Sequence, residues 1–364
     1  MFNVPDAVIE AYLGSHEMNA QCVVLRGSQN LGTIPIIGAE IYATYGTQGG
    51  RDGRITVPRS VIDAGLLNPL SDQVVISTGI PGLVDVPLFT GRVDVRSANS
   101  TGDVRVRLES RGVEAIRAAF EVPWAAGPAG TRARQEMLAI LQNVDPSWGV
   151  DISAANTNTI GGGLVWEDSR GQALDQLAKG ASLIWQPDRT GGFTIYTNPY
   201  AVGPVLGAGV RIFLRDGVGG VTTRVENTES REGVYNSVTV VTERTGNVDP
   251  LRVTVRDVGP SSPTMWGGLF GKQNLVVKSQ TPISLTDAQQ LALRILRQSL
   301  AMQRSFTISL PDMPLLDPGD VFALIYRGIT YTLVAESIAY SFDAKQDTVI
   351  QARELLLIDV DEVA

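Results

Sequence analysis

The chain has 364 residues, room for two or three domains at ~100–200 residues each, and sets 30 Lys and Arg against 38 Asp and Glu for a formal net charge of −8. Mixed charge of this kind argues against sequence-independent nucleic-acid binding, which needs clustered cations on phosphates. A single cysteine, Cys22, excludes an intramolecular disulfide, and no apolar run approaches the ~18 residues of a membrane span. The opening residues, Met1 to Asp6, lack the basic and apolar regions of a signal peptide, so assembly in a cytosol is expected.

In chain order, residues 1–20 read as an N-terminal arm holding a short helix within 5–19, with Ala7, Val8, Tyr12 and Leu13 on one side. Residues 21–112 read as a first small β-barrel. Its strands are 22–25, 34–37, 41–45, 55–57, 74–77, 84–88, 93–95 and 104–108, with a loop over 49–53. Residues 113–205 change character to an α+β unit. Met137, Leu138 and Leu141 stand at helical spacing, Ser169 is an N-cap for a second helix, and strands at 183–185 and 193–196 flank a Gly-rich turn.

Residues 206–242 return to strands and, with 305–354, form a second small β-barrel. Between them, 243–304 is an insertion with a Pro-, Ser- and Gly-rich loop and a long helix from about Leu285 to Gln303. Ser284 or Thr286 can cap it, and Ala288, Leu291, Ile295 and Leu296 form its apolar stripe. The closing barrel has strands 306–308, 321–326, 329–334, 338–342 and 349–350, with a two-residue hairpin turn at Arg327-Gly328, and 355–364 is a C-terminal tail. The fold class is therefore mainly β with an α+β insertion: two similar small β-barrels joined by inserted α/β and helical segments.

The similarity of the two barrels rests on strand order. Strands 55–57, 74–77, 93–95 and 104–108 follow one another as 306–308, 321–325, 338–342 and 348–352 do. Val93 and Val95 precede Val104 and Val106 by the same eleven residues that separate Ile338 and Tyr340 from Val349 and Gln351.

No residue set reaches catalytic quality. His16 is the only histidine, so neither a Ser-His-Asp triad nor a usual Zn site can be built around it and Cys22. Gly267 to Gln273 has the look of a phosphate loop, but Trp266 stands where its first Gly belongs and Gln273 replaces Ser or Thr. Glu167 with Asp168, and Asp343 with Asp347, are carboxylate pairs of the sort glycoside cleavage uses, though acids before a helix commonly serve its cap and dipole. Asp317-Pro318-Gly319-Asp320 is explained by turn geometry. Trp124, Trp148, Trp166, Trp185 and Trp266 could stack on sugars, or anchor cores and interfaces. No catalytic, cofactor-binding or metal-binding residue is assigned and no cofactor is expected.

Three stretches resemble the tail hub family of tailed bacteriophages, the baseplate-hub or minor-tail proteins. They are Pro87-Leu88-Phe89-Thr90-Gly91-Arg92-Val93; then Gln172 to Ala178 leading to Ile184-Trp185-Gln186-Pro187-Asp188 and Phe193-Thr194-Ile195; and Leu315-Leu316-Asp317-Pro318-Gly319-Asp320-Val321. The resemblance implies a non-enzymatic virion protein at the tail tip, a homotrimer whose six barrels match a sixfold tail tube to a threefold spike or fibre. It implies as partners the tail tube or a distal tail protein, the spike or fibre, and the tape measure protein, around a DNA channel used in genome ejection. With the acidic balance, acids should outweigh bases on that channel face. No specific nucleic-acid binding and no membrane span are expected. The alternatives are a carbohydrate-active hydrolase, marked by two carboxylates facing one cleft, and a receptor-binding tail adhesin with an exposed ligand groove.

Overall fold

Strict alternation builds the first strands: over Arg51–Pro58, Gly53, Ile55 and Val57 are buried while Asp52 and Arg54 face out. The structure, a computed structural model, describes residues 4–14, 18–46, 50–98, 102–153, 158–203, 210–242, 251–279, 284–342 and 346–363. His16, Gly49 and Asp343 lie outside the described residues. The chain opens with α1 (Asp6–Leu13), whose buried side is Ile9 and Tyr12; Ala7, expected there, is exposed. There follow β1 (Asn19–Arg26), β2 (Gln29–Ile34), β3 (Gly38–Thr44), β4 (Arg51–Pro58), α2 (Arg59–Asp63), β5 (Asp72–Ile80), β6 (Val84–Ala98) and β7 (Asp103–Ser110). The strand expected at 34–37 ends at Ile34, and the expected loop over 49–53 is already β4 from Arg51.

The insertion contains α3 (Arg111–Arg117), β8 (Trp124–Ala125), α4 (Ala133–Val144), β9 (Val150–Ile152), β10 (Val165–Trp166), α5 (Arg170–Ala181), β11 (Leu183–Pro187), β12 (Phe193–Thr197) and α6 (Pro199–Val202). Ser169 caps α5 as expected, its side chain accepting from Gln172 N at 3.2 Å. Helices α4 and α5 close over the three-stranded sheet β11-β12-β9 around Met137, Ile140, Leu174, Leu177, Trp185 and Phe193. In that sheet β12 runs parallel to β9, a pairing without a sequence signal.

Then come β13 (Phe213–Arg215), β14 (Arg224–Glu229), β15 (Ser237–Thr242), β16 (Arg252–Asp257), β17 (Asn274–Ser279), α7 (Leu285–Ala301), β18 (Arg304–Leu310), β19 (Val321–Tyr326), β20 (Ile329–Ser341), β21 (Thr348–Glu354) and β22 (Val360–Val363). Here the pairing corrects the expected grouping. Strand β15 does not join β13 and β14; it sits in a separate sheet of order β17-β15-β16-β22. The C-terminal tail supplies β22, paired antiparallel to β16. Helix α7 covers this sheet, with Ala288, Leu291, Ala292, Leu296 and Leu300 packed on Val238, Val240, Val253 and Val255. Ser284 and Asp287 form a reciprocal capping box at its start.

The remaining strands make one thirteen-stranded sheet in the order β2-β1-β5-β6-β7-β4-β3-β20-β21-β18-β14, with β19 paired to β20 and β13 to β19. The two similar small β-barrels are its two halves. Strands β5-β6-β7-β4-β3 and β19-β20-β21-β18-β14 follow the same order, and every neighbouring pair in both is antiparallel. The ladder rung Val93–Leu108–Gly53–Ile41 of the first half matches Ala335–Ala352–Phe306–Asn227 of the second. One residue past the rung, both halves carry a β-bulge on an acid, Asp94 and Glu336.

These bulges explain two further corrections. The expected strand pairs 84–88 with 93–95, and 329–334 with 338–342, are each one long strand, because a bulge bends a strand without ending its pairing. The eleven-residue offset is not the register: Arg96 lies opposite Val106 and Ile338 opposite Ile350. The hairpin turn Arg327-Gly328 is present, with φ of 51° and 79° as a type I′ turn requires. It is not peculiar to the second half, since Ile80 and Val84 close the equivalent turn in the first.

Candidate functional site at the junction of the sheet halves

The two halves meet where β3 pairs antiparallel with the end of β20, from Glu40 opposite Ser341 to Thr44 opposite Ser337. Alternation sends Ile41, Ala43, Ile338 and Tyr340 inward, each no more than 1% exposed, into a core shared by both halves. The other face is polar and holds a hollow of about 510 Å³ lined by Glu40, Arg54, Ser97, Arg105, Arg107 and Ser341, among others. Along β3, β4 and β7 the outward charges interleave: Glu40, Asp52, Asp103 and Glu109 with Arg54, Arg105 and Arg107. Arg107 pairs with Asp94, and Arg117 with Glu109 at 2.8 Å. On these strands four outward acids stand against three outward bases.

Beneath the junction lies a buried cluster that ties the insertion to both halves. Arg51 stands in phase with Ile55 and Val57, so its guanidinium points inward; Nη1 donates to Leu88 O at 2.6 Å and Nη2 pairs with Asp317. Arg189 comes from the β11–β12 turn. That turn is set by Asp188 Oδ1, which accepts from Thr190 N at 2.7 Å, Thr190 Oγ1 at 2.9 Å and Gly192 N at 2.9 Å. Arg189 Nε donates to Asp317 Oδ2 at 3.0 Å, and its Nη atoms donate to Pro314 O and Leu316 O. Tyr340 donates to Leu316 O at 2.6 Å, Gln186 Nε2 to Pro318 O at 3.2 Å, and Thr90 Oγ1 to Arg189 O at 2.9 Å.

Burial pushes the Asp317 carboxyl up, but the Arg189 and Arg51 guanidiniums outweigh it and hold the group well below the usual carboxylate range. The Asp317-to-Asp320 turn is thus more than turn chemistry. The three stretches that carried the family resemblance converge here, through Leu88 and Thr90, through Gln186 and the Asp188-Arg189 turn, and through Leu316, Asp317 and Pro318. Sequence reading missed Arg51 and Arg189. For Arg51 the available signal was a cation in phase with the buried residues of a strand; Arg189, in a turn, carried no such signal.

A second hollow, about 460 Å³, opens beside this cluster and is lined by Asp151, Asp188, Asp317 and Asp320 with Arg189 and Tyr196. Asp188 holds its own turn, Asp317 holds two arginines, and Asp320 accepts from Asp317 N at 2.7 Å. Asp188, Asp317 and Asp320 are thus engaged in structure.

The other sequence candidates are dispersed. Glu167 and Asp168 are exposed ahead of α5, and Asp347 accepts from the Thr223 hydroxyl. Trp148, Trp166 and Trp185 are buried in the insertion core, Trp124 stacks on Phe120, and Trp266 lies under Arg256 and Lys272. The Gly267–Gln273 segment leads into strand β17 rather than a helix, so it lacks the strand-to-helix setting of a phosphate loop. Cys22 is fully buried in β1 and burial pushes its thiol up to about 12. Among the described residues, no group of His, Cys, Asp and Glu could hold a metal ion, and no helix is long and apolar enough to cross a membrane.

No family model and no curated protein matches the chain. Solved structures do. A tail protein from Neisseria meningitidis MC58 superposes with a TM-score of 0.64 at 13% identity, covering 92% of this chain and 96% of its own. The 43 kDa tail protein of prophage MuSo2 from Shewanella oneidensis gives 0.61 at 13% identity, over 92% and 98%. Prophage tail protein gp18 from Listeria monocytogenes EGD-e gives 0.60 at 12%, over 92% and 94%. Over nearly its whole length, this chain has the fold of phage tail proteins, as its three sequence stretches led one to expect.

Proposed function

We propose that the chain is a structural tail-tip protein, the hub that adapts a sixfold tail tube to a threefold spike or fibre around the channel for DNA. The carrying observation is the pair of matching β-halves fused edge to edge in one sheet. A chain that offers one docking surface twice can meet six tube subunits with three copies of itself. The tail-protein fold supports the same reading.

The tube or distal tail protein would dock on the duplicated halves, the spike or fibre on the opposite side, and the tape measure protein in the channel. The domain limits follow the cores: 21–112 with 206–229 and 305–354 as the duplicated β unit, 113–205 as the α+β insertion, and 230–304 with the C-terminal strand as the helix-covered sheet. The protein would act in the virion tail without catalysis. Native mass and imaging of assembled tails test this: a single threefold ring of this chain at the tip is expected. One, two or six copies per ring would overturn it.

A further inference from the structure

The internal junction has an unpaired counterpart at each end of the duplication. In the second half, β19 covers β20 only as far as Val334, and β3 takes over the same edge from Ser337 to Ser341. In the first half, β5 covers β6 only as far as Arg92, and that edge from Val93 to Ala98 pairs with nothing among the described residues. Likewise β3 pairs on both sides, with β4 and β20, whereas among the described residues its counterpart β14 pairs only with β18. Free strand edges of this kind are templates for another chain.

We propose that β14 of one copy pairs antiparallel with the end of β6 of the next, repeating between chains the junction that β3 and β20 make within one. This rests on the trimer reading above, and the occupant of each edge is a second copy of this chain. The register follows from the matched rungs. Ile41 faces Tyr340, five residues beyond Ala335; Ala98 lies equally far beyond Val93. Asn227 therefore meets Ala98, Thr228 meets Ser97, and Glu229 meets Arg96.

That register sets an acid directly opposite a base where the internal junction has Ala43 opposite Ile338. The exchange has a physical reason. The internal edges are covered as the chain folds and can be apolar, but the outer edges face water until copies meet. Charged residues keep such edges from pairing at random, and opposite charges across one rung select the correct partner. Arg96 is exposed and makes no ion pair among the described residues, while the Glu229 side chain, 64% exposed, meets Arg304 at 3.0 Å through Oε1. Three internal and three such external junctions would close a ring of six halves.

The test uses the full chain, alone and in assembled tails. Residues directly opposite on antiparallel strands stand ~4.5–5.5 Å apart at Cα, within disulfide reach. Ser97→Cys/Thr228→Cys should oxidise to a covalent trimer that reduction returns to single chains; Cys22 is fully buried and can remain. Arg96→Glu and Glu229→Arg should each lose the trimer on native mass, and the double reversal should restore it. A trimer that neither cross-links at these positions nor responds to the reversals overturns the junction and leaves the trimer standing. A chain that is single both free and in tails overturns both.

Discussion

Arg189 and Asp317 are 128 residues apart in the chain, yet Nε of one donates to Oδ2 of the other at 3.0 Å inside the protein. Arg51 holds the second carboxylate oxygen, so one acid fastens the insertion and the first half of the sheet to the second half. Removing one partner of such a buried pair strands the other charge and costs about 3–5 kcal/mol. Arg189→Met should therefore lower the denaturant midpoint by that equivalent and expose the 113–205 unit to proteolysis first. An unchanged midpoint would mean the contact is dispensable.

Asp312 predicts a pH effect of defined sign. Burial pushes its carboxyl up to about 6, against about 3.9 when unfolded. The folded state binds the proton more tightly, so this group's contribution is complete below pH ~4 and is lost as pH rises through ~6, at most about 3 kcal/mol. Asp312→Asn should remove this dependence. The stability difference between variant and parent, measured by urea unfolding at pH 4.5 and 7.5 (about these values), should shift in the variant's favour at the higher pH. A difference independent of pH refutes the assignment.

Gly319 tests how closely the insertion seats. Its φ is +90°, and a Cβ there would run into the Tyr196 hydroxyl. Gly319→Ala combines backbone strain of about 1–2 kcal/mol with displacement of that tyrosine. We expect a lower Tm, and a larger loss than Gly328→Ala, where φ is +79° but nothing lies within reach. Equal losses would show that only the backbone conformation matters.

Helix α7 presents Leu296 fully buried and Ile295 partly buried beside it. Leu296→Ala should cost about 2–5 kcal/mol and Ile295→Ala clearly less. Ile295→Asp should still impair folding, since the side chain packs against the β15–β16 core. The opposite ranking in chemical denaturation would place the stripe one residue away.

Local chemistry was legible without the structure. The α7 stripe with its Ser284 cap, the Ser169 cap, the Arg327-Gly328 turn and the repeated strand order all depend on residues close together in the chain. Periods of 2 and 3.6, caps and turns are written in consecutive side chains, so the amino-acid sequence alone determined where most strands and helices form and that one strand order is used twice.

Only the tertiary structure decided which edges meet. Backbone hydrogen bonds between strands take little account of side-chain identity, so nothing in 237–242 announced that β15 leaves its neighbours for the sheet under α7, or that residues 360–363 would complete that sheet. The same holds for β3 choosing β20, and for the convergence of Arg51, Arg189 and Asp317. That convergence arises from packing three distant segments around one buried carboxylate, which no local pattern encodes.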